Sequence, residues 1–274
     1  MDIHPGANLL PIDPDPDTAY SPIAGVAWDE DRPRRIDTHR HHRGQLISVI
    51  RGVATVGTRH GLWIAPPNRA IWIPAGVEHW VRYSRTVALR SLFPTSIVSS
   101  SLPTECVGFH LDALSRELLN VSVDVPWDVD PHPSEMRLVR LLLDRISIIR
   151  QPALVVPDGK DRRILRVMQR LRETPDDNRT LESWAKEAGA SERTLARLFL
   201  RDTGMSFTVW RRQYRLMLAL EQLAMGRPVT TVAHNLGYDT AGNFSTMFRG
   251  VFHQSPRESF AHSHRAYERR LRLS

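Results

Sequence analysis

The sequence predicts an α+β protein of more than one domain. A small antiparallel β-barrel comes first, linker helices follow, and an all-α domain holds two helix-turn-helix motifs joined by one long helix. Three observations predict this. Residues 23 to 101 alternate short apolar runs with turn residues roughly every eight to ten positions. Farther on, one pattern occurs twice: Ala185, Gly189 and Ser191, then Ala233, Gly237 and Asp239. Between the copies, residues 207 to 225 carry apolar side chains at helical spacing with no internal Gly or Pro.

The first 22 residues are rich in Asp and Pro and nearly free of bulky apolar side chains, as expected of a disordered leader. A barrel domain is expected over 23–105. Its apolar runs are Leu46–Ile50, Val53–Val56, Leu62–Ala65, Ala70–Ile73 and Val87–Phe93. Arg51-Gly52, Pro66 to Asn68 and Pro74 to Gly76 supply the turns between them. Trp63, Trp72, Trp80 and Tyr83 are expected in the barrel wall or lining a pocket.

The barrel carries a histidine constellation. His39 and His41 share a face in an extended strand, and Gln45 lies four residues on. His79 follows the turn at Gly76, at the start of a later strand. Three imidazoles and one oxygen suit a divalent transition metal. The same polar set also suits the lining of a small-molecule pocket, and both readings stand. His42 points the other way and reads as surface.

A helical linker or dimerisation segment is expected over 106–156. It has a short helix at 111–121 and an amphipathic helix at 134–149, whose stripe includes Met136, Val139, Leu142 and Ile146. That stripe either packs on the barrel or pairs with a second copy, and a homodimer contact is the favoured expectation. Cys106 is the single cysteine, so no internal disulfide can form, and burial as a small apolar side chain is expected.

The double helix-turn-helix domain is expected over 157–260, with a basic tail at 261–274. Gly189 and Gly237 provide the left-handed conformation that ends a helix. Ser191 and Asp239 are the candidate N-caps of the helices that follow. Leu195, Leu198 and Phe199, and in the second copy Phe244, Met247 and Phe248, fall on the inward face. From Pro157 onward there are 21 Lys and Arg against 13 Asp and Glu, a net +8, whereas the earlier residues come to −1. The excess positive charge therefore sits with the repeated motif, as a polyanionic partner requires. No apolar run reaches the ~20 residues of a membrane span. No signal peptide is evident, and a cytoplasmic location is expected.

Two resemblances follow from these residues. The stretch from Leu181 to Phe199, with Thr203-Gly204, Trp210-Arg211, Arg215-Leu216, Ala233, Gly237-Tyr-Asp, Asn243-Phe-Ser and Ser255-Pro256, resembles the DNA-binding domain of the AraC/XylS transcription regulators. The histidine pattern with Gly52 and the Pro74-to-His79 motif resembles the cupin family. The resemblance implies a cupin-like sensor barrel whose metal ligands fall on His39, His41, Gln45 and His79. Gln45 stands where cupins carry an acid, a weaker neutral donor.

The first resemblance implies double-stranded DNA as partner and a small-molecule or metal effector. It implies activation more than repression, so RNA polymerase is an expected partner. Base-contacting positions fall on Arg193, Ala196 and Arg197 in one helix, and on Ala241, Asn243, Ser245 and Thr246 in the other. Arg211, Arg249 and Arg257 are phosphate candidates by position and charge. The alternative reading is a metal-dependent cupin enzyme with a DNA-binding appendage. Gln45 in place of an acid, with no other carboxylate counted in the motif, argues against it.

Overall fold

The structure, a computed structural model, describes residues 14–148, 154–252 and 254–260. The expected leader up to residue 13 and the expected basic tail from 261 lie outside the described residues. The chain divides into two compact units, one built from strands and two helices, the other mainly from helices.

The strands form two five-stranded sheets, which belong to the first unit apart from Gly61-Leu62 and Val155-Val156. One has the order β1-β8-β3-β6-β9, formed by Ile23–Glu30, Val87–Pro94, Gln45–Arg51, Arg69–Ile73 and Val107–His110. The other has the order β10-β5-β4-β7-β2, formed by Leu154–Val156, Gly61–Ala65, Ala54–Thr58, His79–Tyr83 and Arg34–His39. The pairings within each sheet for which the register is known are antiparallel. The core between the sheets is made of Val26, Ile47, Ile71, Leu89 and Phe93 from one and Ile36, Val56, Val81 and Tyr83 from the other.

The first sheet is buried on both faces, which explains its unbroken apolar runs. Alternate residues of a strand face opposite sides. Ile47 faces the inter-sheet core, while its neighbour Leu46 joins Trp72, Leu92 and Phe109 beneath two helices, α1 (Ala113–Ser122) and α2 (Pro133–Ile148). At the edge of the second sheet, Arg34–His39 is polar and largely accessible, and Ile36 is its one buried residue.

Three sequence expectations are corrected here. The apolar stripe of α2, for which a dimer contact was favoured, is covered from within: Val139, Leu142, Leu143 and Ile146 are buried with the sheet residues. The barrel does not stop at residue 105, because Val107–His110 pairs with Arg69–Trp72 as an edge strand. The leader does not extend to residue 22. Asp17 accepts backbone N–H bonds from His42 at 2.7 Å and Arg43 at 3.2 Å. The Arg43 guanidinium donates to the carbonyls of Ser21 and Ala19.

The second unit contains α3 (Arg162–Glu173), α4 (Leu181–Glu187), α5 (Glu192–Thr203), α6 (Phe207–Ala224), α7 (Val229–Asn235) and α8 (Ala241–Phe252). Asp161, Thr180, Ser191 and Ser206 each cap the helix that follows by accepting a backbone N–H bond. The cap of α8 is Thr240, not Asp239: its hydroxyl accepts from the Asn243 N–H at 3.1 Å.

Two turns in this unit close alike. After α4, the Ala190 N–H donates to the Ala185 carbonyl at 2.9 Å, with Gly189 at φ 68°. After α7, the Tyr238 N–H donates to the Ala233 carbonyl at 3.0 Å, with Gly237 at φ 72°. Trp184, Leu195, Phe199, Trp210, Phe244 and Phe248 fill the core. None of the described helices is long and apolar enough to cross a membrane.

Candidate functional site

Helix α5 buries Leu195, Leu198 and Phe199, which leaves Arg193 and Arg197 exposed one turn apart and Ala196 half-buried between them. Helix α8 buries Phe244 and Phe248, leaving Asn243 and Thr246 exposed and Ala241 and Ser245 half-buried. Arg249 and Arg257 are exposed. Arg211 is half-buried; its guanidinium donates to the Arg179 carbonyl at 2.9 Å and lies over the Phe207 ring. Part of its donor capacity is thus used inside the protein.

Arg212 did not stand out in the sequence. It is exposed on α6 and shares a cleft of about 500 Å³ with Asn243, Thr246, Met247, Gly250 and Val251. Met247, expected to be inward, is half-buried and lines that cleft. The signal available was the Arg211-Arg212 pair on a helix whose next turn packs inward.

In the barrel unit, His39, His41 and His79 converge, with one ring nitrogen from each lying within 4.8 Å of the others. His39 and His79 are direct cross-strand partners, with ring centroids 4.3 Å apart. His41 lies just past the end of its strand and still turns inward. Its carbonyl accepts the N–H of Gly76 at 2.8 Å. Gly76 has φ 78°, which favours glycine in the turn that leads to His79. His42 is exposed.

The hydrogen bonds orient these rings. His39 Nδ1 lies 2.6 Å from the Asp37 carbonyl and His79 Nδ1 lies 2.9 Å from the Val77 carbonyl. Both nitrogens must donate, which leaves Nε2 as the lone-pair atom of each neutral ring. The Nε2 atoms of His39 and His41 are buried without a partner. His79 Nε2 faces Gln45 Oε1 at 3.0 Å. The Gln45 amide is held by donation to Ser91 Oγ at 3.2 Å, and Ser91 Oγ donates to the Leu46 carbonyl.

Two acceptors at 3.0 Å need a proton, a reversed amide or a cation between them. Burial works against the proton: it pulls the pKa of His79 down to about 3, with the His39 and His41 rings adding to the effect and the Val77 carbonyl opposing it. The pKa of His41 falls to about 4, chiefly by burial and then by His39, against the opposing pull of Asp17 and Asp15. The donor set therefore fits a transition metal: three neutral imidazoles and one amide oxygen, two of them with orphaned lone pairs.

One sequence expectation changes here. Carboxylates do lie close by, because Asp15 and Asp17 each bring an oxygen within 4.8 Å of a His41 ring nitrogen. They come from 24 or more residues away and were invisible to motif spacing.

The family model described as AraC-like ligand binding domain matches residues 21–174, and the one described as helix-turn-helix domain matches residues 184–262. The HTH-type transcriptional regulator NimR of Escherichia coli is 35% identical over 220 residues, covering 80% of this chain and 80% of that protein. The HTH-type transcriptional regulator RipA of Corynebacterium glutamicum is 35% identical over 112 residues, covering 41% of this chain and 32% of its own length. Among solved structures, ToxT of Vibrio cholerae O395 aligns over 88% of this chain and 97% of its own, with 12% identity and a TM-score of 0.38. The assignment rests on the sequence matches. Both matched domains are regulatory, and the expectation that the protein is not an enzyme agrees with them. The chain belongs to the AraC/XylS family of DNA-binding transcription regulators, with an N-terminal ligand-binding domain and a C-terminal helix-turn-helix domain.

Proposed function

We propose that the chain is an effector-responsive regulator that reads DNA through two helix-turn-helix motifs. The observation that carries this is the pair of turns closed by the same hydrogen bond, each followed by a helix with a polar outward stripe. The 18-residue helix α6 between them spans about 27 Å at 1.5 Å per residue. Two α-helices about one DNA turn apart can enter successive major grooves on one face of the duplex.

In this reading Arg193 and Arg197 pair with guanine edges, Ala196 meets a thymine methyl group, and Asn243 reads adenine. Ala241, Ser245 and Thr246 complete the second reading face. Arg249 and Arg257 contact phosphates, and Arg211 adds to them with whatever donors its internal bonds leave. Footprinting on a duplex selected from a random pool tests the reading. Protection of two successive major-groove faces per chain is expected, and no protection of any duplex would overturn it.

The regulator acts as a homodimer in the cytoplasm, and as an activator that engages RNA polymerase. Leu114 and Val121 of α1, with Leu138 and Leu141 of α2, are large apolar side chains left exposed after the α2 stripe has been covered. A second copy is the partner we assign to them. An effector in the barrel changes DNA occupancy only through different affinities for two arrangements of the dimer.

The barrel site takes a divalent transition metal on His39, His41, His79 and Gln45, either as the signal or as an anchor for an organic effector. The orphaned Nε2 atoms and the facing acceptors of His79 and Gln45 support this. Elemental mass spectrometry after exposure to zinc, nickel or cobalt is expected to find close to one metal per chain. His39→Ala and His79→Ala are expected to lower that by about tenfold or more. A metal-free parent protein would make the histidines pocket lining.

A further inference from the structure

We infer that the loop of residues 175–179 is a clasp that sets the spacing of the two DNA-reading helices, with Arg215 and Asn178 as positioning residues. The inference rests on the two-motif reading above.

The loop leads from α3 to Thr180, the N-cap of α4, and so belongs to the first motif. Its far side meets the turn of the second. Asn178 Nδ2 donates to the Gly237 carbonyl at 2.8 Å. Backbone packs on backbone beside that bond: a Cβ at Gly237 would fall 2.4 Å from the Asp176 carbonyl oxygen. Position 237 therefore needs glycine for two reasons, its φ of 72° and this approach.

Helix α6 holds the loop from beneath. Arg215 donates from Nε to the Pro175 carbonyl at 2.7 Å and from a terminal nitrogen to the Asp177 carbonyl at 2.9 Å. Arg211, one turn earlier, reaches the Arg179 carbonyl. A guanidinium, with five donors and no acceptor, can gather several carbonyls at once. Arg215 is 6% exposed, and its charged group lies 5.9 Å from the Tyr238 ring of the second turn. The charge is buried at a position where an aliphatic side chain would pack without desolvation cost. A buried charge kept in this way fits a demand for one geometry better than a demand for stability.

The demand comes from the ends of α6. The helix before it ends at Gly204, with φ 69°, and α6 is followed by Gly226, with φ 76°. A Cβ at either glycine would find nothing within 4 Å. Phe199 on Phe207 and Trp210 holds α5 to the start of α6, and Asn235 donating to Gln222 holds α7 near its end, so each motif is tied to α6 separately and the clasp is a direct link between the two. The clasp joins the first motif to the second without passing through either glycine.

The test uses the full chain on duplexes carrying both half-sites at the selected spacing, with one or two base pairs inserted, or with the first half-site alone. One inserted base pair advances the second site about 3.4 Å and turns it by roughly a tenth of a turn. Wild type is expected to lose about tenfold or more in affinity on insertion. Asn178→Ala and Arg215→Met are expected to bind the first half-site as wild type does, to weaken several-fold at the selected spacing, and to lose most of the insertion penalty. Arg215→Met is buried, so circular dichroism checks its fold. The exposed Asn178→Ala carries the test if that variant fails to fold. Variants that keep the wild-type insertion penalty would overturn the clasp and leave the two-motif reading intact. A wild type indifferent to spacing would overturn both.

Discussion

Replacing Arg193 and Arg197 together by alanine is expected to lower affinity for the selected duplex by about 30-fold to 20,000-fold. Each arginine bidentate to guanine supplies about 1–3 kcal/mol of base discrimination, and each 1.4 kcal/mol is a factor of ten. Both side chains are exposed on α5, so their loss leaves the core of Leu195, Leu198 and Phe199 unchanged. Surface substitutions of this kind usually move stability by less than about 0.5 kcal/mol. The thermal midpoint of the double variant is therefore expected to match wild type. Fluorescence anisotropy on selected and scrambled duplexes at one salt concentration makes the comparison. The selected duplex should fall toward the scrambled one. An equal drop on both would mean that the arginines contact phosphates and not bases.

Trp210→Ala is expected to cost the helical unit about 3–5 kcal/mol while sparing the barrel unit. The ring is fully buried, stacked on Tyr214 at 5.6 Å and edge-on to Phe199 at 5.9 Å. Its Nε1–H donates to the Pro157 carbonyl at 2.7 Å. Truncating a buried aromatic to alanine costs about 3–5 kcal/mol, against a total of about 5–15 for a domain. Calorimetry should show one transition moving down steeply and the other staying in place, with DNA binding lost. Trp210→Phe keeps most of the packing and loses the hydrogen bond, so a loss of about 0.5–1.5 kcal/mol is expected. A Trp210→Ala variant as stable as Trp210→Phe would contradict the packing account.

Which parts of this molecule were legible in the sequence follows from how local their causes are. Helix starts and stops depend on residues within a few positions, so Ser191 as a cap and Gly189 and Gly237 as stops could be read directly. The α8 cap was misplaced by one residue because Asp239 and Thr240 are both competent caps and their order in sequence does not say which one turns inward. The histidine cluster was legible because cross-strand register put His39 opposite His79 and a Gly turn brought His41 to them.

Long-range partners were not legible. Asp15 and Asp17 reach His41 from a distant segment, and Arg215 reaches carbonyls 38 and 40 residues away. Arg211 reads as a phosphate contact by position and charge, and the Arg179 carbonyl that it binds is 32 residues away. The stripe of α2 showed an apolar face in sequence but not what covers it. The sheet that does so presents Leu46, Trp72, Leu92 and Phe109 on its outer side.

The measurement that tests the central claim most directly is hydroxyl-radical footprinting of the full chain on its selected duplex across a salt series. Two motifs held by an 18-residue helix of about 27 Å predict two protected regions per chain, centred about one helical turn, or 10 base pairs, apart on one face of the duplex. They also predict an affinity that falls steeply with salt, as release of counterions from several phosphates requires. A single protected groove per chain, with base preference confined to the half-site read by Arg193 and Arg197, would contradict the account.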